Sequence, residues 1–197
     1  SGGKVGIGTT SPDNFLDVDF DITGEGSNEG GIKIQNSHGV NNDFAPLYFG
    51  VHGGTRRTKA AIGLKRTGSY GIGDLVFAMD ANGDDANVTF ANDEVMRITA
   101  DGKVGIGETT PLGWLHVKEG DSGQGSVNSN FDQLVIEDDS HSGMTILSGT
   151  SADGGIYFGD SGGNNMGQFK YHHNGDYFDL TTANGAARVR IDAHGLK

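Results

Sequence analysis

The chain contains no cysteine, so no disulfide can staple its loops and no thiolate can serve as nucleophile or metal ligand. Proline is scarce, at three residues. With 35 glycines that follow no three-residue period, this excludes a collagen helix. No apolar run approaches the length of a membrane-crossing helix and no leader-like segment is visible, which predicts no membrane insertion. Positive charge is also short: 14 Lys plus Arg stand against 26 Asp plus Glu, a net charge of −12. Such a surface repels phosphate backbones, so no nucleic-acid partner is expected. The acids are dispersed, as on a solvated surface. Only 34% of residues are hydrophobic and 8% aromatic, which is thin material for a large core. Short alternating apolar runs recur nonetheless, and these argue against disorder.

What the chain does have is a repeat. GKVGIGTTSPDNFLDV at Gly3 to Val18 returns as GKVGIGETTPLGWLHV at Gly102 to Val117, every matched residue 99 positions on. Repetition of this kind is read by its period before anything else. Val5 and Ile7 alternate with Gly6 and Gly8, a strand period with one face bare of side chains. Glycine within a strand marks a bulge or close approach of another backbone. Thr9 to Pro12 then turns the chain, and Leu16 and Val18 resume the alternation.

Further pairs follow in the same order. Ile32–Ile34 matches Leu134–Ile136, Leu47–Gly50 matches Ile156–Gly159, Leu64-Lys65 matches Phe169-Lys170, and Arg97-Ile98 matches Arg190-Ile191. The offset drifts, as it does when loops gain and lose residues between strands. Leu75–Met79, Val88–Phe90 and Tyr177–Leu180 also read as strands. Ala81–Asp84, His173–Asp176 and Ala183–Gly185 carry Asn-Gly hairpin signals. No stretch keeps a helical period, so the fold class is all-β. The phase divides the chain into a unit at 1–101, a second at 102–194 and the start of a third at 195–197. A chain that opens inside the motif without an initiator Met reads as a piece of something longer.

Short strands with little apolar material need covering, either by stacking along the chain or by identical chains sharing a core. Glycine-alternating strands suit the second remedy. The expectation is an elongated fibre of tandem β-rich repeats, with self-association as a parallel homotrimer. RITADGKVGIGETTPLGWLHV (Arg97 to Val117) resembles a motif of tail fibre proteins of tailed bacteriophages and of fibre-like bacterial proteins. Ile156 to Gly195 is similar to the segment that leads into the next motif there. In that family the motif often precedes an endosialidase-type intramolecular chaperone. The resemblance implies a trimeric structural protein in the virion tail fibre, with a host surface glycan or protein as partner. The alternatives are a tailspike-type polysaccharide depolymerase domain, or a repeat of a bacterial surface adhesin or filament.

The residues assign no catalytic, cofactor-binding or metal role. Asp17, Asp19 and Asp21, with Glu25 nearby, alternate as a calcium-binding strand could, but they read better as a solvated face, and His116 and Lys118 replace two of them in the second copy. Asp80, Asn82 and Asp84 resemble the start of a calcium loop whose glycine and closing glutamate are misplaced, so a plain turn is expected. His172 and His173, as strand neighbours, point to opposite faces and are expected to flank an exposed turn. Trp114, which replaces Phe15, is expected to pack at the turn. The motif has no P-loop ending and no G-x-S-x-G elbow. Not an enzyme, and no cofactor, is the resulting expectation. The loops 19–31, 120–130 and 159–167 differ most between copies and are where ligand recognition is expected.

Overall fold

A computed structural model describes residues 3–19, 32–51, 57–182 and 187–196. The described elements are strands apart from one three-residue 3-10 turn, Ser69–Gly71. In chain order they are β1 (Val5–Ile7), β2 (Leu16–Val18), β3 (Phe44–Phe49), β4 (Ala60–Arg66), β5 (Gly73–Met79), β6 (Glu94–Ile98), β7 (Val104–Ile106), β8 (Leu115–Lys118), β9 (Leu134–Glu137), β10 (Asp153–Asp160), β11 (Gly163–His172), β12 (Tyr177–Thr182), β13 (Ala187–Asp192) and β14 (Gly195–Leu196). The all-β class is therefore observed. The strands form three open sheets: the pair β1-β2, a seven-stranded sheet β3 to β9 in sequence order, and a five-stranded sheet β10 to β14. The chain divides into two compact units, Ser1–Ser140 and His141–Lys197.

The meanders β3 to β7 and β10 to β14 are antiparallel throughout, through connections both short and long. The GKVGIG stretches behave differently. β1 pairs with β2 in parallel, Val5 opposite Leu16 and Ile7 opposite Val18. β7 pairs with β8 in the same way, Val104 opposite Leu115 and Ile106 opposite Val117. Each pair is closed by only eight residues, 8–15 and 107–114, where parallel neighbours ordinarily need a dozen or more. Glycine makes this geometry available. A β-carbon on Gly105 would meet the Glu108 carbonyl oxygen, and one on Gly107 the Lys118 carbonyl oxygen. Gly107 also has φ +72°, and Gly8, its counterpart, φ +81°. Lys4 and Lys103 fasten the turns by donating from Nζ to the carbonyl of Pro12 (3.0 Å) and Pro111 (3.4 Å).

Antiparallel pairing adds a shared irregularity. β5 and β6 slip by one residue after Phe77, leaving Val95 unopposed; β12 and β13 slip after Leu180, leaving Arg188 unopposed. Counted outward from these bulges, Leu64 corresponds to Tyr171. The Leu64/Phe169 match read from the sequence is therefore two residues out of register. Other expectations also change. Ile32–Ile34 is not a strand. Val88–Phe90 is not one either: Val88 and Phe90 fold over the sheet, Phe90 stacking on Phe44 at 4.3 Å, and join Ala61, Val76 and Ala78 in a small buried core. Apolar residues in a cover loop look like a strand when only composition is read. Asn82-Gly83 lies in a long connection between β5 and β6, whereas His173–Asp176 is a tight hairpin turn with Asp176 at φ +52°. Ala183–Gly185 lies outside the described residues.

Gly107→Ala is expected to destabilise the chain by about 1–3 kcal/mol, because a side chain there meets both positive φ and the Lys118 carbonyl. Gly83→Ala, with open space around its β-carbon, should stay within about 0.5 kcal/mol. Urea titration of both variants distinguishes them.

Candidate functional site

Strand period two gives each sheet two faces, and here they differ sharply. On one face of the seven-stranded sheet the register aligns Leu47, Ile62, Phe77, Met96, Ile106, Val117 and Ile136. Beside them it aligns Ala45, Leu64, Leu75, Ile98, Val104, Leu115 and Leu134. Both rows are apolar from edge to edge, and none of their side chains is buried; Leu47 is 48% exposed and Leu134 50%. The five-stranded sheet repeats the arrangement with Ile156, Phe169, Leu180 and Val189, next to Tyr171, Phe178, Ile191 and Leu196. Met144 and Ile146 border a shallow groove on this second face.

The opposite faces hold buried charge. Arg97 donates to Glu94 Oε1 and Oε2 at 2.7 Å and to Asp74 Oδ2 at 2.8 Å, all three side chains being nearly buried. Residues three apart on a regular strand point to opposite sides; the bulge at Val95 is what turns Glu94 to the side of Arg97. In the second sheet Arg190 occupies the place of Arg97 and donates to Asp179 at 2.9 and 3.0 Å, holding that carboxyl below the usual range. Its guanidinium covers the Tyr177 ring at 4.0 Å.

A third cluster stands on the β7–β8 turn. His116 is fully buried, and its Nε2 lies 2.9 Å from Glu137 Oε2. Lys118 Nζ lies 2.8 Å from Glu108 Oε2 and 3.7 Å from Glu137 Oε2. Burial pushes the Glu108 carboxyl up, but the Lys118 ammonium and the Thr110 N–H and hydroxyl outweigh it and bring it down to about 2. His116 Nδ1 accepts the Leu112 N–H at 3.3 Å, the contact that Asp17 Oδ2 makes with the Asp13 N–H at 2.8 Å in the first copy. The sequence reading assigned His116 no role. Its signal was the exchange of Asp17 for a histidine beside a new lysine and glutamate.

The calcium candidates have other partners. Asp17 caps its turn, the Asp19 N–H donates to the Ile7 carbonyl, and Asp21 and Glu25 lie outside the described residues. Asp80 Oδ2, the Asn82 carbonyl and Asp84 Oδ1 do converge, but on Lys59 Nζ, at 2.6, 3.0 and 3.1 Å. The loop thus closes on an ammonium from β4's leading edge. His172 and His173 do face opposite ways. His172, expected at an exposed turn, instead lies half-enclosed between Asp153 Oδ1 (3.0 Å) and Asp179 Oδ2 (3.2 Å), stacked on Tyr177, while His173 meets the edge of Tyr171. Trp114 sits at the turn beside Gly102 and is 53% exposed. Of the variable loops, 159–167 is a tight hairpin of β10 and β11, 120–130 is irregular, and 20–31 is outside the described residues. No helix among the described residues is long and apolar enough to cross a membrane. None of the known protein families matches the chain, and no curated protein is similar to it.

Two outcomes follow for these charges. Arg97→Met should cost about 3 kcal/mol or more, since it leaves two buried carboxylates facing each other; thermal or urea denaturation reads this. At the Lys59 loop, the Asp80 carboxyl is held below its ordinary 3.8, first by the Lys59 ammonium, and Lys59 is held above 10.5, first by Asp80. The contact therefore stabilises the fold between those values and is lost as pH falls below 3.8 or rises above 10.5. Asp80→Asn should shrink the acid arm of the melting-temperature profile, leaving the part due to Asp84, Glu108 and Asp179, and calcium should leave the native melting temperature unchanged.

Proposed function

We propose that the chain is a shaft segment of a fibre assembled from identical copies, a structural and interaction protein of the phage tail-fibre kind that contributes to host-cell attachment. The observation that carries this reading is the uncovered apolar face common to both sheets. The seven-stranded sheet is about 29 Å across at the usual strand spacing, and its two apolar rows cover on the order of 400 Å². A stable interface takes about 800 Å² from each partner. The first sheet supplies on the order of half of that, and the matching rows of the second sheet supply more. Because both sheets repeat one pattern, a partner that fits one fits the other, and a second and third copy of the same chain meets that condition with no further assumption. Burial at roughly 25 cal/mol per Å² makes such a face a strong drive to associate.

The GKVGIG turns favour tandem repetition. Each closes a parallel pair in the same register, so a longer chain can add units without new geometry. In this reading the buried ion pairs hold each sheet flat side outward, and the apolar rows meet their copies at the fibre axis. Attachment falls to the exposed connections, 120–130 first among the described ones.

Light scattering is expected to give a mass three times the chain's 20.6 kDa. Phe77→Lys and Phe169→Lys together should yield folded monomer, because each places a charge in the middle of an apolar row. A well-folded monomer of the unaltered chain would overturn the reading.

A further inference from the structure

The β7–β8 turn carries side chains that the turn itself does not require. The first copy builds the same parallel pair with Thr9, Asp17 and Asp19 in the places of Glu108, His116 and Lys118. In the second copy three side chains are each tied by an outer atom. Glu108 Oε1 accepts from the Thr110 N–H and hydroxyl at 2.6 and 2.8 Å. His116 Nδ1 accepts from the Leu112 N–H, and Glu137 Oε1 accepts from the Ser122 N–H and hydroxyl at 2.9 and 2.8 Å. Their inner atoms converge: Glu108, His116 and Glu137 each present one ligand atom within 4.8 Å of the other two. His116 Nε2 and Glu137 Oε2 are buried and, although 2.9 Å apart, neither is aligned for a hydrogen bond. Hydrogen bonds to the outer oxygens, as on Glu108 and Glu137, are the usual support of metal-ligating carboxylates; the His116 bond runs the other way, its Nδ1 accepting.

We propose that Glu108, His116 and Glu137 form a binding site for a divalent transition metal, zinc fitting the donor set best, and that the Lys118 ammonium is the resident cation which the metal displaces. One imidazole nitrogen and two carboxylate oxygens leave a fourth tetrahedral position to water. Calcium, which takes six or more oxygens, does not fit so few donors. Metal–ligand bonds of about 2.0–2.2 Å set tetrahedral ligand atoms about 3.4 Å apart; His116 Nε2 and Glu137 Oε2, now 2.9 Å apart, open by about half an ångström, and Glu108, within 4.8 Å of both, has little distance to close. Charge also fits: two carboxylates and a neutral imidazole balance a divalent ion, whereas one ammonium leaves a negative charge over. Lys118 has somewhere to go, since Asp121 Oδ1 lies 3.7 Å from its Nζ and is largely exposed. Binding has one cost inside the site. A metal on Nε2 leaves the ring proton on Nδ1, so the Leu112 N–H, already 3.3 Å away, loses its acceptor. The site belongs to the second copy alone, and the inference does not depend on the fibre reading.

The test is zinc titration of the full chain by calorimetry, with cobalt absorption spectra and the Leu112 amide resonance as independent readouts. One zinc per chain, tetrahedral-type cobalt bands and a shifted Leu112 amide are expected. Glu108→Thr installs the first copy's residue and so keeps the turn; it should weaken zinc at least about tenfold. Lys118→Met removes the competing cation and should tighten zinc by about tenfold or more, a gain that a purely structural ion-pair cluster does not predict. Absence of zinc binding by folded Lys118→Met, or binding that Glu108→Thr and His116→Gln both leave undiminished, would overturn the proposal.

Discussion

The close approach of backbone to backbone at the GKVGIG turns is the constraint from which the rest follows. Parallel strands joined by eight residues leave no room for a crossover element, so the chain must pass directly over its own strand. Gly105 and Gly107 admit the Glu108 and Lys118 carbonyls to the positions where a side chain would stand. Once the pair is closed, His116 is placed beneath the turn and Lys118 at its rim, and β9 can add its parallel edge with Glu137 alongside. The buried cluster is thus a consequence of the turn, decorated in one copy and plain in the other.

The sheets resolve a shortage of apolar residues by spending them on one side. Among the described residues the buried interior is small, five hydrophobic side chains with Phe44 packed against them. The same side is held by arginine-carboxylate pairs, which are directional and select one register, though buried pairs are weak contributors to net stability. The apolar rows face the other way. A sheet built like this leaves an apolar surface that its own described residues do not cover.

Much of this was legible beforehand. Glycine alternation at Val5–Gly8 and Val104–Gly107 announced strands with a bare side, and the 99-residue spacing announced that both copies share one geometry. The strands at Leu47 and Arg97 followed from their matches in the second copy, and the one at Tyr177 from its apolar run. The cover loop at Val88–Phe90 was misread because burial, not strand pairing, selects its residues. The Lys59 contact was hidden because its ammonium comes from 21 residues before Asp80, and local motif reading searches only the loop itself. The His116 cluster was missed for a similar reason: its members lie on three segments that only the parallel pairing brings side by side.

The bulge at Val95 acts as a phase marker for the meander. Strand sidedness is counted in single steps, so removing one residue there would send Glu94, the first residue of that strand, to the wrong surface, parting it from Arg97. Length is therefore free to change in the connections between strands, as the drifting spacing of the two copies illustrates. Within the paired strands that carry the arginines there is no such licence, and length there becomes as much a part of the message as residue identity.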